Sequence, residues 1–171
     1  HIAGTHLLDP ETGVYNIPDI KKTIPNTPVV LVHLAQREQG ILALRGNPKS
    51  IRGLHDLARK DCRFVNRQPG SGTRVLLDYE LKRLRIDPAS IHGYEREEFT
   101  HMAVGVAVAS GLADAGLGVR AAAQALGLDF IPLANEQYDL LCLRTFYESP
   151  RGTQLMAIIC SQSLKTAVSS L

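Results

Sequence analysis

Tryptophan is absent from this 171-residue chain, and only five tyrosines and four phenylalanines are present. A pocket walled by several aromatic rings, as a large heteroaromatic ligand would require, is poorly supplied. No uncharged apolar run reaches the roughly 18 residues that a membrane span needs; residues 102–119 come nearest, but Asp114 and several glycines interrupt them. Charge of one sign is also missing. The net charge is +2 with acidic and basic residues interspersed, so no electrostatic footprint for nucleic acid or an anionic membrane exists. The three cysteines, Cys62, Cys142 and Cys160, lie far apart in apolar runs, with no Cys-x-x-Cys or Cys/His spacing. Buried thiols in a reducing, cytoplasmic compartment are expected rather than disulfides or metal ligands. HExxH-like motifs and paired metal-ligand carboxylates are absent, and no metal site is expected. There is no Gly-Lys-Ser/Thr, so no phosphate-binding P-loop. Pro69 stands where a Gly-x-Ser-x-Gly motif would need its first glycine, so a serine hydrolase is disfavoured and no catalytic residue is assigned.

What is present is a Gly-rich turn, Asn-Arg-Gln-Pro-Gly-Ser-Gly-Thr-Arg at 66–74, between an apolar run at Phe64 and Val65 and a helically spaced segment, Val75, Leu77, Leu81 and Leu84. Free N–H groups and the positive end of the helix dipole converge at such a start, which favours an anion. Ser71 and Thr73 add hydroxyls, Arg67 and Arg74 add charge, and Gly70 and Gly72 admit close approach of a ligand. An ordinary helix capped by Ser71 is the alternative reading. Thr100-His101 opens a second helix of small residues, where a plain threonine cap is again the alternative. Thr5-His6 ends an apolar strand, a common ligand position in α/β sheets, or else simply starts the Asp9-Pro10 loop. Asp114 would be costly if buried alone, so it is expected to cap N–H groups or pair with an arginine in a supporting role. Tyr138 begins an extended segment and is a candidate to line a cleft, or it packs with its hydroxyl exposed.

The remaining pattern predicts strands at 2–8, 29–35, 41–44, 62–66, 113–118, 129–133 and 138–145. Helices are predicted at 50–60, 73–85, 99–111, 119–126 and 149–169, the last with Leu155, Ile158, Ile159, Leu164 and Val168 inward. Helix 99–111 is apolar all round and is expected to be buried on several sides. The alternation of strands and helices predicts α/β layers with mainly parallel pairing. Polar breaks at Gly46-Asn47-Pro48 and Asn135-Glu136-Gln137 divide the chain into 1–45, an inserted lobe 46–137, and 138–171.

Several phrases in fixed order carry a family resemblance: Ala-Gly-Thr-His-Leu-Leu-Asp (3–9), Tyr-Asn (15–16), residues 66–74, Thr-His-Met-Ala-Val (100–104), Ala-Asp-Ala-Gly-Leu-Gly (113–118) and Tyr-Asp-Leu (138–140). Together they resemble the periplasmic-binding-protein-like domain of molybdopterin biosynthesis proteins and of molybdate-responsive helix-turn-helix regulators. The resemblance implies a type II solute-binding architecture of two α/β lobes joined by crossover strands, with ligand in the cleft. It also implies that the N-terminal part of the first lobe is missing here, in keeping with a chain that opens at His1 as if already within a strand. Its ligand would be molybdate, tungstate or a pterin precursor, held by Thr5, His6, Ser71, Gly72, Thr73, Arg74, Thr100, His101 and Tyr138, with Asp114 supporting. A fused catalytic or helix-turn-helix domain would lie outside this chain, and a homodimer is compatible with it. The leading expectation is a non-catalytic oxyanion-sensing domain. The alternatives are a part of a molybdopterin biosynthesis enzyme that presents metal oxyanion or pterin to a catalytic partner, and a packing module without a ligand.

Overall fold

The computed structural model describes residues 1–169. In chain order, β1 is Ile2–Thr5, α1 Ile17–Thr23, β2 Val29–Ala43, β3 Phe64–Arg67, α2 Gly72–Leu84, β4 Glu97–Glu98 and α3 His101–Ala109. Then follow β5 Ala115–Val119, α4 Arg120–Leu126, β6 Asp129–Leu143, α5 Arg144–Tyr147, α6 Pro150–Ile159 and α7 Gln162–Ser169. The chain forms two compact units. The first holds His1–Leu7, Asn16–Gln36 and the segment from Gln137 onward; the second holds Leu8–Tyr15 and Arg37–Glu136. Both β2 and β6 continue from one unit into the other.

In the second unit, β3 pairs in parallel with β5 (Phe64 opposite Ala115) and with β4 (Asn66 opposite Glu97), while β2 pairs antiparallel with β5. In the first unit β1 lies antiparallel to β6, Ile2 opposite Cys142. Parallel pairs (β3 with β4 and with β5) stand beside antiparallel ones, and the sheet is mixed.

Alternation along the strands sorts the second unit's core onto two faces. Ile41, Ala43, Phe64, Ala115 and Leu117 point to the side covered by Leu77 and Leu81 of α2, together with Leu54 and Leu57. Leu42 and Val65 point to the other side, under Val104, Ala107 and Val108 of α3 and Ala123 of α4. A strand buried on both faces needs apolar residues in succession, which is why Phe64-Val65 and Ile41-Leu42-Ala43 read as continuous runs. Small residues let α3 approach closely: a Cβ at Gly116 would come within 2.4 Å of Val104 Cγ1.

Several local expectations change. The segments 29–35 and 41–44 are one strand, as are 129–133 and 138–145. The intervening polar residues do not break the strands because they partner one another: Arg37 and Gln39 both donate to Glu136. A strand tolerates buried polar side chains when their bonds are made internally. The helix expected at 50–60 shrinks to a 3-10 turn, Leu54–Ala58, in which Asp56 accepts from the Arg52 and Gly53 N–H groups. The terminal helix is split at Cys160-Ser161, where Ser161 Oγ donates to Ile158 O and accepts from Leu164 N. Such a serine offers the backbone an alternative to continuing the helix. Of the inward residues proposed there, Leu155, Ile159 and Leu164 are half-buried and Ile158 is 60% exposed. The Val168 side chain lies outside the described residues. Cys160 is exposed, whereas Cys62 and Cys142 are buried. The α3 helix leaves one face open, with Met102 and Val106 exposed. Among the described residues no helix is long and apolar enough to cross a membrane.

Close packing at Gly116 predicts that Gly116→Ala costs about 1–3 kcal/mol by overpacking. Val104→Ala should cost less in that background than alone, since it vacates the clashing methyl. A double-mutant cycle by urea denaturation measures this; additive effects would mean that α3 does not rest on Gly116.

Candidate ligand-binding site

In the second unit, β3 and its parallel neighbour β4 each feed a helix, so α2 and α3 begin at the same edge of the sheet. Ligands in α/β sheets sit beyond this edge, at the carboxyl ends of the strands. The β3–α2 turn closes with Ser71 N donating to Gln68 O, at 3.2 Å. Ser71 caps α2 by accepting from Arg74 N at 3.3 Å, and Thr100 caps α3 by accepting from Ala103 N at 3.0 Å. Neither helix carries an acidic residue in its first turn. The first-turn N–H groups, Gly72 and Thr73 on α2 and His101 and Met102 on α3, therefore have no intrahelical acceptor.

Arg67, the last residue of β3, reaches across to the start of α3. Its Nη2 donates to Phe99 O at 3.0 Å, its Nη1 meets His101 Nδ1 at 3.2 Å, and its Nε donates to Gln68 Oε1 at 3.2 Å. A guanidinium only donates, so His101 Nδ1 accepts and the ring proton resides on Nε2. Arg67 is only 8% exposed, and burial lowers its pKa from the usual arginine range without discharging it.

Thr73 is placed differently from what a ligand donor requires. Its hydroxyl donates to Gln39 Oε1 at 3.0 Å, Gln39 Nε2 donates to Glu136 Oε1 at 3.0 Å, and Arg37 Nε donates to Glu136 Oε2 at 2.9 Å. A carboxylate accepts only, so Glu136 fixes the Gln39 amide with its nitrogen toward it and its oxygen toward Thr73. The Thr73 proton is thereby committed, and the backbone N–H is what this residue offers a ligand. Tyr15 lies near the same carboxylate: burial first, then Glu136 and Glu80, push its phenol up to about 12.

Arg74 is as buried as Arg67 but is bound up on α2. It pairs with Asp78 at 3.1 Å and Glu97 at 3.5 Å, and lies over the Tyr94 ring at 4.1 Å. Burial alone would lower its pKa, but Tyr94 and Asp78 outweigh that and raise it. Asp114 immediately precedes β5, at the amino-terminal end of the parallel strands and so at the opposite edge from the two helix starts. It accepts from Arg63 N, Nε and Nη2 at 2.8, 3.0 and 2.9 Å.

The first unit holds Thr5, His6 and Tyr138. Thr5 donates its hydroxyl proton to Asn16 Oδ1 at 2.9 Å, and Asn16 Nδ2 donates to Asp139 Oδ2 at 2.7 Å. Asp139 also accepts from Gln137 and lies 3.0 Å from His33 Nδ1. Asn16 and Asp139 are fully buried. The His6 ring stacks on Tyr138 with centroids 5.4 Å apart. This unit also has a cavity of about 230 Å³ lined by Leu7, Ile20, Ile24 and Leu141, but among the described residues its charged wall is Asp19, which repels anions.

Sequence reasoning missed Asn16, Gln39, Glu136 and Asp139. Isolated polar residues in a sequence give no sign of their partners, 97 positions apart for Gln39 and Glu136. Arg67 was visible as a charge in the turn, but not as a buried one. Among the described residues no group of three or more His, Cys, Asp or Glu is arranged to hold a metal ion. Burial pushes the Cys62 thiol up to about 11, which keeps it protonated and unreactive.

A family described as "PBP superfamily domain" matches residues 1–160. The chain belongs to this PBP-like family. It is 45% identical over 143 residues to YvgK of Bacillus subtilis (strain 168), covering 84% of this chain and 46% of YvgK. The chain thus spans about half the length of that relative. Among solved structures, a tungstate ABC transporter protein from Geobacter sulfurreducens matches with a TM-score of 0.68 at 15% identity, over 99% of this chain and 76% of that one. The regulatory domain of CcmR from Synechocystis PCC6803, solved with 2-PG, matches with a TM-score of 0.63 at 15% identity, over 78% of this chain and 66% of that one. At such identities these likenesses establish the fold, a mixed α/β architecture of the type II PBP-like kind.

The hydrogen bonds from Arg63 hold the Asp114 carboxyl below its usual 3.8. A depressed carboxylate stabilises the fold above its unfolded pKa and loses that contribution as pH falls through the lowered value. Asp114→Asn should therefore cost about 1–3 kcal/mol at pH 7. The deficit should begin to shrink as pH falls through about 4, where the unfolded carboxylate protonates, and close only below the lowered folded value, where both proteins carry a neutral side chain at 114. Urea titrations across this range measure it, and a deficit independent of pH would show that the charge of Asp114 contributes nothing.

Proposed function

We propose that this chain is a non-catalytic small-ligand-binding domain whose ligand is a fully ionised oxyanion, with molybdate and tungstate the favoured members. The observation that carries this reading is the shared edge of the second unit, where two capped helices without first-turn carboxylates start side by side. Ser71, Gly72 and the Thr73 N–H on α2, with Thr100 and His101 on α3, supply the donors. Backbone N–H dipoles stabilise an anion because they are already oriented and need not reorganise when it arrives. Protein groups that only donate also discriminate by protonation. Phosphate carries a proton near neutral pH and needs an acceptor for it, whereas molybdate, tungstate and sulfate do not. Likeness in fold to a tungstate transporter protein is in keeping with this ligand class.

The test is a thermal-shift and calorimetric titration of the full chain with molybdate, tungstate, sulfate and phosphate. A ligand selective for the folded state stabilises it by about 2.7 kcal/mol at a hundredfold excess over Kd. Molybdate or tungstate should give such a shift and phosphate a smaller one. Ser71→Ala should weaken binding about tenfold, the equivalent of one charge-assisted hydrogen bond, and reduce stability by about 0.5–2 kcal/mol through the lost cap. No shift with any of the four oxyanions would refute the reading.

A further inference from the structure

The outer face of α3 is an apolar surface open to solvent. Phe99 is 71% exposed, Leu112 54%, Val106 52% and Met102 44%, and Ala109 is exposed as well. Phe99, Met102, Val106 and Ala109 follow one another at spacings of three, four and three, so they fall in one stripe along the helix. The whole stretch 99–113 contains no Asp, Glu, Lys or Arg. Together the stripe and Leu112 expose on the order of 400 Å² of apolar surface, the size at which a patch marks a contact.

Charge flanks this stripe, with opposite sign at its two ends. Asn66 N donates to Arg96 O at 2.7 Å and Gln68 N to Glu98 O at 3.3 Å. Residues 96 and 98 are thus successive rungs of one ladder, and their side chains leave the same face of the strand. Arg96 Nη1 donates to Leu112 O at 3.0 Å, which fixes that face as the α3 side and sets the guanidinium at the carboxyl end of the helix. Glu98 lies at the other end, two residues before the Thr100 cap. Glu97 points the opposite way, toward Arg74. Arg96 is exposed and Glu98 half-buried. The neighbouring charges are already engaged: Arg67, in register with Glu98, donates to Gln68, Phe99 and His101, and Arg63 pairs with Asp114. The strand β4 is the last on this side of the sheet, so the face lies at a margin that a second molecule can approach.

We propose that this face is a homodimer contact, in which α3 packs antiparallel against α3 of a second copy about a two-fold axis near Val106. An isologous contact needs a surface complementary to itself. Antiparallel packing supplies it: stripe meets stripe, and Glu98 of each copy lies opposite Arg96 of the other. Parallel packing would set Glu98 against Glu98 and is disfavoured by repulsion. Burying the patch on both copies removes about 800 Å² of apolar surface, which with a polar rim reaches the low end of specific interfaces. The dimer is therefore weak and reversible, with a dissociation constant on the order of 10–100 µM. The contact lies wholly in the second unit and is independent of the oxyanion reading.

The experiment is sedimentation equilibrium of the full chain at low salt, from about 5 to about 500 µM, so as to bracket that range. The chain should pass from monomer to dimer. Val106→Glu sets two carboxylates together at the axis, on a position exposed in the monomer. It should stay monomeric throughout while keeping the wild-type melting temperature. Arg96→Glu and Glu98→Arg should each dimerise about tenfold more weakly, since each sets like charges against one another twice. An equimolar mixture of those two variants should associate more tightly than either alone, because the heterodimer regains both pairs of opposite charge. The mixture also decides the matter if Val106→Glu does not fold. A chain that is monomeric at the highest concentration would overturn the proposal and leave the patch to a different partner. A dimer that survives in Val106→Glu would put the contact on another surface. A mixture no stronger than its components would overturn the antiparallel pairing.

Discussion

Parallel pairing of one short strand with both of its neighbours is the constraint on which the second unit depends. All four residues of β3 are buried, and it aligns with β4 and β5 in the same direction. A parallel strand must be followed by a crossover, so α2 after β3 and α3 after β4 begin at the same edge. The small residues of α3 and the glycine opposite Val104 let that helix settle onto the sheet, and the apolar side of α2 covers the other face. The donor-rich edge is thus a product of topology, with the capping hydroxyls of Ser71 and Thr100 completing what the strand directions begin.

Charge is partitioned between the two ends of these strands. Asp114 and Arg63 neutralise each other at the amino-terminal edge, Arg74 is absorbed by Asp78 and Glu97, and Arg37 by Glu136. The carboxyl edge carries Arg67 and oriented N–H groups, with the half-buried Glu98 opposite Arg67 at the end of β4. The buried chain from Arg37 through Glu136 and Gln39 to Thr73 matters here for what it withholds. It directs the Thr73 hydroxyl into the interior, so the carboxylate of Glu136 is screened by an amide from the donors at the start of α2. In the first unit a similar buried chain, Thr5 to Asn16 to Asp139, occupies the hydroxyl of Thr5 and fixes a positive-φ asparagine, Asn16 at φ 63°, ahead of α1.

Much of this was legible in the residues themselves. The turn at 66–74 announced a strand, a cap and a helix, because Ser71 sits four residues before Val75, the first of the periodic apolar positions; Thr100 announced the start of α3. The pairing of Asp114 with an arginine followed from the cost of burying a lone carboxylate. What could not be read were the polar partners that hold β2 and β6 as unbroken strands. Arg37, Gln39 and Glu136 look like loop residues until they are brought together, and local pattern carries no information about that meeting. The commitment of the Thr5 and Thr73 hydroxyls was hidden for the same reason. The break in the terminal helix turns on a single serine that competes for its own backbone, a preference too weak to read against an apolar run.

The most direct measurement of the central claim is an anomalous-scattering map from crystals of the chain grown with tungstate, whose metal marks its own position. The account requires a peak beside the first-turn N–H groups of α2 or α3, with tungstate oxygens within hydrogen-bond distance of those N–H groups or of the Ser71 and Thr100 hydroxyls. A well-occupied peak elsewhere, with this edge holding only water, would contradict it.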